Sequence, residues 1–386
     1  MGEGTRGERL AGPARAAGRA CSVDAAVASA AELLAGADLP LVYGLVQSTV
    51  EAQRQAVRLA DLLHGVVDSA ASPAHEPSLQ AYAQLGGLTA TLGELRRRAD
   101  LVLFWGCDPD RLHAGFVERL AGPRPGRYRL AIDLASGRGP ASVPDRLSIP
   151  PESELHALLA LRALVSQERV DPRLAEPPGL APTALRELAR RLAACDYGVI
   201  LHEGDPPPDH RDVALAMALG ALVGGVTRKA HLRQVGVRGP GNPAGAENVL
   251  TWQTGFPGSI SFNRGYPRYG PGEFTADALL ARRDVDAALL VGVDPARHLP
   301  PAAVERVGEV PLVWLGAPEA PAAERSQVSI ATLPFVSTPG HVYRMDGLAL
   351  RHHAQPGDAA ADWPSEAAVL ASIAAAVEAR LSGGRA

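Results

Sequence analysis

The stretch Ala99-Asp-Leu-Val-Leu-Phe-Trp-Gly-Cys-Asp-Pro109 decides the fold, because the chain repeats it as Val285-Asp-Ala-Ala-Leu-Leu-Val-Gly-Val-Asp-Pro295. In both copies a short, uninterrupted apolar run stops at Gly-x-Asp-Pro. Such a run has the length of a strand and is apolar on both faces, which is the pattern of a parallel sheet covered on both sides. A second apolar run follows each copy, at residues 129–134 and 310–315. The two copies therefore predict two related α/β lobes. Each places a loop at the carboxyl end of a parallel strand, where sheets of this kind bind ligands.

Working outward, residues 39–46 read as a strand and 51–64 as a helix, so that with 99–106 and 129–134 they make a first lobe over 38–150. An N-terminal extension and first helix occupy 1–37. After the Pro150-Pro151 junction, helices at 155–165, 183–193 and 211–223, with strands at 197–201, 285–293 and 310–315, make a second lobe over 151–320. Within it, residues 235–274 are dense in Gly, Pro, Asn and aromatics without sustained period. They read as a long ordered loop, a type of segment that is commonly functional or interfacial. A C-terminal segment, 321–386, closes with a helix at 366–381 stopped by Gly383-Gly384.

Composition excludes several function classes. A net charge of −4 over 386 residues, with no basic block, gives no polyanion surface, so nucleic acid is not an expected partner. The single lysine, Lys229, against 37 arginines reflects genome composition rather than function. No stretch approaches the roughly 20 apolar residues of a membrane helix, and residues 1–19 lack the apolar core of a signal peptide, which makes the cytoplasm the expected address without membrane contact. The three cysteines, Cys21, Cys107 and Cys195, are far apart and form no C-x-x-C pair for zinc or iron–sulfur binding.

Familiar catalytic motifs are missing as well. In Gly239-Pro-Gly-Asn-Pro-Ala-Gly245 two prolines remove N–H donors, so the segment reads as a rigid turn and not as a phosphate cradle. His352-His353 would point to opposite faces of a strand, which makes a metal pair unexpected. Cys107 reads as a small buried apolar residue.

Several segments in one order carry a family resemblance: Pro40-Leu-Val-Tyr-Gly44, Glu51-Ala-Gln-Arg54, Thr91-Leu-Gly-Glu94, the stretch 99–109, Trp252-Gln-Thr-Gly255, Gly265-Tyr-Pro-Arg-Tyr-Gly-Pro-Gly-Glu273 and Tyr343-Arg-Met-Asp-Gly347. Together they resemble B subunits of formylmethanofuran dehydrogenase, from about residue 39 to 351. The resemblance implies a metallopterin-oxidoreductase-like fold of the formate dehydrogenase/DMSO reductase type. In that family a cysteine thiolate ligates tungsten or molybdenum held by two pterins.

Here the chain departs from the family. Where the pattern has Cys-His-Gly-Pro-Ser, it reads Ala74-His75-Glu-Pro-Ser78, and a methyl group cannot ligate a metal. The N-terminal iron–sulfur cysteines are missing. The basic turns that grip pterin-dinucleotide phosphates have become Asp133-Leu-Ala-Ser-Gly137 and Gly316-Ala-Pro-Glu-Ala320. The resemblance thus implies a subunit without its own redox activity, with neither a tungsto- or molybdopterin nor an iron–sulfur cluster. It would serve in a formyltransferase/hydrolase complex of C1 metabolism, alongside formyltransferase and metal-dependent hydrolase subunits. That complex converts formyl-tetrahydromethanopterin to formate through a formyl-methanofuran analogue. The competing readings are an active dehydrogenase with a substitute ligand such as His75, and an independent small-molecule-binding protein using the old pterin cavity. His75, Arg268 and Glu273 are expected near one another as remnants of the ancestral pocket, with Arg268 pairing with a carboxylate such as Glu273. Trp252, Phe256, Phe262, Tyr266 and Tyr269 are expected to face sibling subunits.

Overall fold

Both Gly-x-Asp-Pro segments end strands in the same way. In the computed structural model, which describes residues 13–134, 137–166, 176–226, 231–354 and 362–383, Gly106 (φ +59°) and Gly292 (φ +63°) take the left-handed conformation directly after strands Leu101–Trp105 and Ala287–Val291. Only glycine enters that region cheaply. The aspartate two residues on caps a short 3₁₀ turn: Asp108 accepts from the Asp110 N–H at 3.1 Å and Asp294 from the Ala296 N–H at 3.0 Å, with proline at the first turn position.

The two strands belong to different units, and the division differs from the one expected at Pro150. One unit comprises Met1–Ser72, Gly241–Arg344 and Ala349–Ala386; the other comprises Pro73–Pro240 with Met345–Leu348. The expected first lobe is therefore split, since Pro40–Gly44 lies in the first unit and Leu101–Trp105 in the second. Boundaries based on chain order missed that one unit is inserted into the other.

In the first unit the sheet runs Arg268–Tyr269, Ile260–Ser261, Val66–Ser69, Pro40–Gly44, Ala287–Val291, Leu312–Gly316, Val328–Ala331, Ala14–Ala16, Arg19–Cys21. Its five central strands are parallel and the short edge strands antiparallel. Alternate residues separate two cores. Val42, Leu289 and Val313 pack under helices Val23–Ala35, Val50–Leu62, Pro243–Thr254 and Glu366–Gly383; Leu41, Leu290 and Leu312 pack under Ala276–Arg282 and Pro301–Val307. Each such buried leucine or valine contributes about 1.5–3 kcal/mol.

The second unit is a five-stranded, all-parallel sheet in the order Arg146–Ser148, Tyr128–Asp133, Leu101–Trp105, Tyr197–Glu203, His231–Val237. The chain builds outward from Leu101–Trp105 to one edge, then returns to its other side. The strand order therefore reverses between Leu101–Trp105 and Tyr197–Glu203. Helices Glu154–Ser166, Pro182–Ala194 and Val213–Val226 cover one face of the sheet, and Leu92–Arg97 with Phe116–Ala121 cover the other.

The region 235–274, expected as one long loop, contains the end of a strand, the helix Pro243–Thr254 and two short strands. This helix starts with proline and ends at Gly255 in the left-handed conformation (φ +89°). Buried side chains surround most of its first two turns, from Pro243 to Leu250, so it has no polar stripe from which a helical period could be read. Of the segment 239–245, expected as a rigid turn, residues 240–242 form a bend and Pro243-Ala-Gly245 opens the helix. At Gly241 (φ +116°) a Cβ would strike the Val46 carbonyl.

Among the described residues no helix is long and apolar enough to cross a membrane. The first unit is pinned by Asp68, fully buried at the end of its strand, whose carboxylate accepts from the N–H groups of Ser69 (2.9 Å), Ser259 (3.0 Å) and Ala276 (2.9 Å). Burial pushes this carboxyl up to about 6 against the pull of those donors. Asp68→Ala leaves three buried N–H groups without an acceptor, and chemical denaturation of the full chain should show a loss of about 3 kcal/mol or more; a loss under about 1 kcal/mol would show that water replaces the carboxylate.

Candidate functional site

Helix Ser72–Leu85 carries Ala74-His75-Glu-Pro-Ser78, the segment that the resemblance matches to the family's metal-ligating cysteine. Ala74 is buried and offers a methyl group. His75, beside it, is completely buried, and its Nε2 lies 2.5 Å from Asp205 Oδ1. Asp205 follows strand Tyr197–Glu203 by two residues. Gly204 makes that position possible, because a Cβ there would sit 2.7 Å from the Val237 carbonyl that its own N–H binds at 2.8 Å. The second oxygen of Asp205 accepts the Gly239 N–H at 2.5 Å. Burial alone would raise the Asp205 carboxyl, but the hydrogen bond and charge of His75 outweigh it and hold it below the usual carboxylate range.

This arrangement anchors the histidine. Among the described residues no group of three or more His, Cys, Asp or Glu is placed to hold a metal ion. Cys107 is buried, as expected, and burial followed by the charges of Glu203 and Asp108 pushes its thiol well above the ordinary range, which makes it a poor ligand or nucleophile. His352 stacks on Phe335, with its Nδ1 on the Thr338 carbonyl. A thiolate-held metal does not fit the residues present.

Each of the two turns expected to have lost its phosphate grip is engaged within its own unit. Asp133 is held bidentately by Arg146 (2.5 and 2.9 Å) and by the Gly139 N–H; against burial, these lower its carboxyl. Ala135 and Ser136 of that turn lie outside the described residues. After strand Leu312–Gly316, the Trp314 indole N–H donates to the Ala317 carbonyl at 3.0 Å.

Arg268 and Glu273 line one broad hollow of about 910 Å³ in the first unit, together with Arg264 and Arg282. The expected ion pair is replaced: Arg268 donates to Asn263 Oδ1 at 2.8 Å and lies over the Phe274 ring at 4.7 Å. Asn263 sits in the turn between the paired strands Ile260–Ser261 and Arg268–Tyr269, so it reaches the guanidinium locally. His75 belongs to the other unit, where Asp205 satisfies it. The five aromatics also divide. Phe262 is core, Phe256 and Tyr269 stack at 5.4 Å, and Trp252 and Tyr266 are 52% and 54% exposed.

A polar knot in the first unit gives a physical role to residues that carry the resemblance. The Gln53 amide donates to the carbonyls of Leu45 (2.9 Å), Ser48 (3.2 Å) and Asn242 (3.1 Å); Asn242 Nδ2 donates to Ser48, and Asn242 Oδ1 accepts the Tyr343 N–H at 2.8 Å. Both amides are fully buried. Gln53 and Tyr343 stand in the matching motifs, but nothing in the sequence signals that they meet through Asn242.

The chain is 31% identical over 344 residues to the B subunit of the tungsten-containing formylmethanofuran dehydrogenase 2 of Methanocaldococcus jannaschii, covering 85% of this chain and 77% of that protein. It belongs to the family of formylmethanofuran dehydrogenase B subunits. A second family member, the B subunit of the formyltransferase/hydrolase complex Fhc of Methylorubrum extorquens, is 27% identical over 377 residues, covering 92% and 95%. The crystal structure of that complex with methylofuran contains a chain that superposes with a TM-score of 0.79 at 26% identity, over 96% and 99% of the two chains. Acetylene hydratase from Pelobacter acetylenicus (TM-score 0.62, 14% identity, 97% and 62% covered) shares the fold, which is the metallopterin-oxidoreductase type expected. No family model matches the chain.

Because the Asp205 carboxyl is lowered in the folded state, the stability it supplies is present above the unfolded value near 4 and is lost as pH falls through the folded value. Asp205→Ala should destabilise the chain by about 3 kcal/mol at neutral pH, because it strands a buried histidine. It should also flatten the acid limb of the stability–pH curve below about pH 4. An unchanged acid limb would place that transition on other carboxylates.

Proposed function

We propose that this chain is the non-redox B subunit of a formyltransferase/hydrolase complex, in which sibling subunits transfer a formyl group from tetrahydromethanopterin to a methanofuran analogue and hydrolyse it to formate. The observation that carries the reading is Ala74, a buried methyl where the family's metal ligand stands, beside a histidine already engaged by Asp205. The end-to-end correspondence with the Methylorubrum protein supports it, although identity to the tungsten-containing relative is slightly higher over a smaller share of that protein. On this reading neither tungsten, molybdenum, pterin nor an iron–sulfur cluster is required. The subunit acts by its shape, and the chemistry lies in formyltransferase and metal-dependent hydrolase partners.

Three outcomes test the proposal. The chain, tagged and purified from its own cells, should bring down sibling subunits and contain tungsten and molybdenum far below one atom per chain; near-stoichiometric metal with a releasable pterin would refute it. Ala74→Cys should not create formate or formyl-substrate oxidation with an artificial acceptor, since both dinucleotide turns are engaged internally. Of the five aromatics, only Trp252 and Tyr266 have half their surface exposed, so Trp252→Ala with Tyr266→Ala should weaken assembly by about 2 kcal/mol or more, while leaving the isolated chain folded. If the double variant assembles and supports coupled activity as before, these two residues do not face siblings.

A further inference from the structure

The inserted unit carries a cationic face that the site described above does not include. Six arginines and only two carboxylates stand in Glu94-Leu-Arg-Arg-Arg-Ala-Asp100 and Arg124-Pro-Gly-Arg-Tyr-Arg129. The sequence shows no basic block because Arg97 and Arg124 are 27 residues apart, and the fold brings them together. Arg124 Nη1 donates to the Arg97 carbonyl at 2.5 Å. Arg127 reaches the carbonyls of Leu95 (3.0 Å), Arg96 (2.9 Å), Ala99 (2.8 Å) and Gly122 (2.9 Å). Arg129 stands two strand residues before Ala131, which packs with Leu92 and Leu95, so its side chain leaves the sheet on the side of helix Leu92–Arg97.

Two of these arginines serve the fold. Arg127 ties the two segments together, and Arg124 satisfies a carbonyl at the helix end. The remaining cations have no such role. Arg96, Arg97, Arg98 and Arg124 are exposed, and among the described residues Arg98 alone of the six is in an ion pair, with Glu94 at 3.2 Å. Asp100, four residues after Arg96, is committed elsewhere: its carboxylate accepts the N–H groups of Asp196 (2.9 Å) and Tyr197 (2.8 Å). Burial, followed by the charges of Arg124 and Arg129, lowers the Arg127 guanidinium, so these cations stand close enough to repel one another.

A face of this sign takes an anionic partner, and its geometry selects the kind. Neighbouring helix residues point about 100° apart. Arg96 and Arg97 therefore diverge, so a single phosphate-sized ion meets one of them, whereas successive carboxylates along a peptide meet both, and guanidinium forks match carboxylates. Base stacking finds no free ring, since Tyr197 is buried and Tyr128 carries Arg191 over its face at 3.8 Å. We infer that this arginine face docks an acidic segment of a sibling subunit. The inference rests on the proposed assembly and adds to it a charged contact on the inserted unit, distinct from the aromatic contact of Trp252 and Tyr266.

The test uses the tagged chain purified from its own cells with its siblings. Arg96→Glu with Arg97→Glu should weaken assembly at least about tenfold, and Arg96→Lys with Arg97→Lys should keep it within about threefold, because the charge is retained. Added salt should weaken assembly of the unaltered chain more than that of the charge-reversed one. If charge reversal unfolds the chain, Arg96→Gln with Arg97→Gln takes its place, with a smaller loss in the same direction. A photo-crosslinking amino acid in place of Arg97 should join the chain to a sibling stretch rich in Asp and Glu, identified by mass spectrometry of the linked peptide. Unchanged assembly in both the Glu and Gln variants overturns the inference alone, as does a crosslink to nucleic acid or to a stretch without carboxylates. An unaltered chain that purifies without siblings overturns the proposed function as well.

Discussion

The buried amide pair Gln53–Asn242 is the contact on which the chain's layout depends. One unit is inserted into the other, so the chain must leave the first unit after Ser72 and return at Gly241, and it leaves and returns once more around Met345–Leu348. Asn242 is the second residue after the return, and its N–H bonds the Val46 carbonyl at 2.7 Å. Tyr343, whose N–H bonds the Asn242 side chain, comes just before the second departure. One polar cluster thus fixes two of the crossings within the first unit. A buried amide left without partners costs several kcal/mol, so each member requires the others.

This constraint explains which parts of the fold were legible. Strands such as Leu101–Trp105 and Ala287–Val291 are apolar on both faces and end in glycine and an aspartate-capped turn, signals that are local in the chain. The existence of the expected helices was legible for the same reason, and their ends fell within a few residues of those read. Unit boundaries were not, because insertion separates neighbours in sequence from neighbours in space and Pro150-Pro151 resembles a linker without being one. Helix Pro243–Thr254 was hidden by its own burial.

The candidate site was legible only in part. The match of Ala74 to the family's ligand position rests on the motif alone, a difference of one letter. The partner of His75 could not, since Asp205 lies 130 residues away and no periodicity links them. Arg268 illustrates the opposite error. Its expected carboxylate, Glu273, is five residues ahead in the chain, but the hairpin turns the guanidinium toward Asn263 and the face of Phe274, which serve a half-buried cation as well as an ion pair would.

On the proposed reading, the family likeness and an alanine at the ligand position are compatible because they rest on different physical demands. A metal ligand is required only by the metal, so where no metal is bound an alanine there costs the fold little. His75 and Asp205 are different. His75 is fully buried against Asp205, whose own side chain is 32% exposed, and removing Asp205 leaves the buried ring without that acceptor, so stability alone favours keeping the pair. The same reasoning covers Asp133 with Arg146, a pair that satisfies both charges where the strand ends.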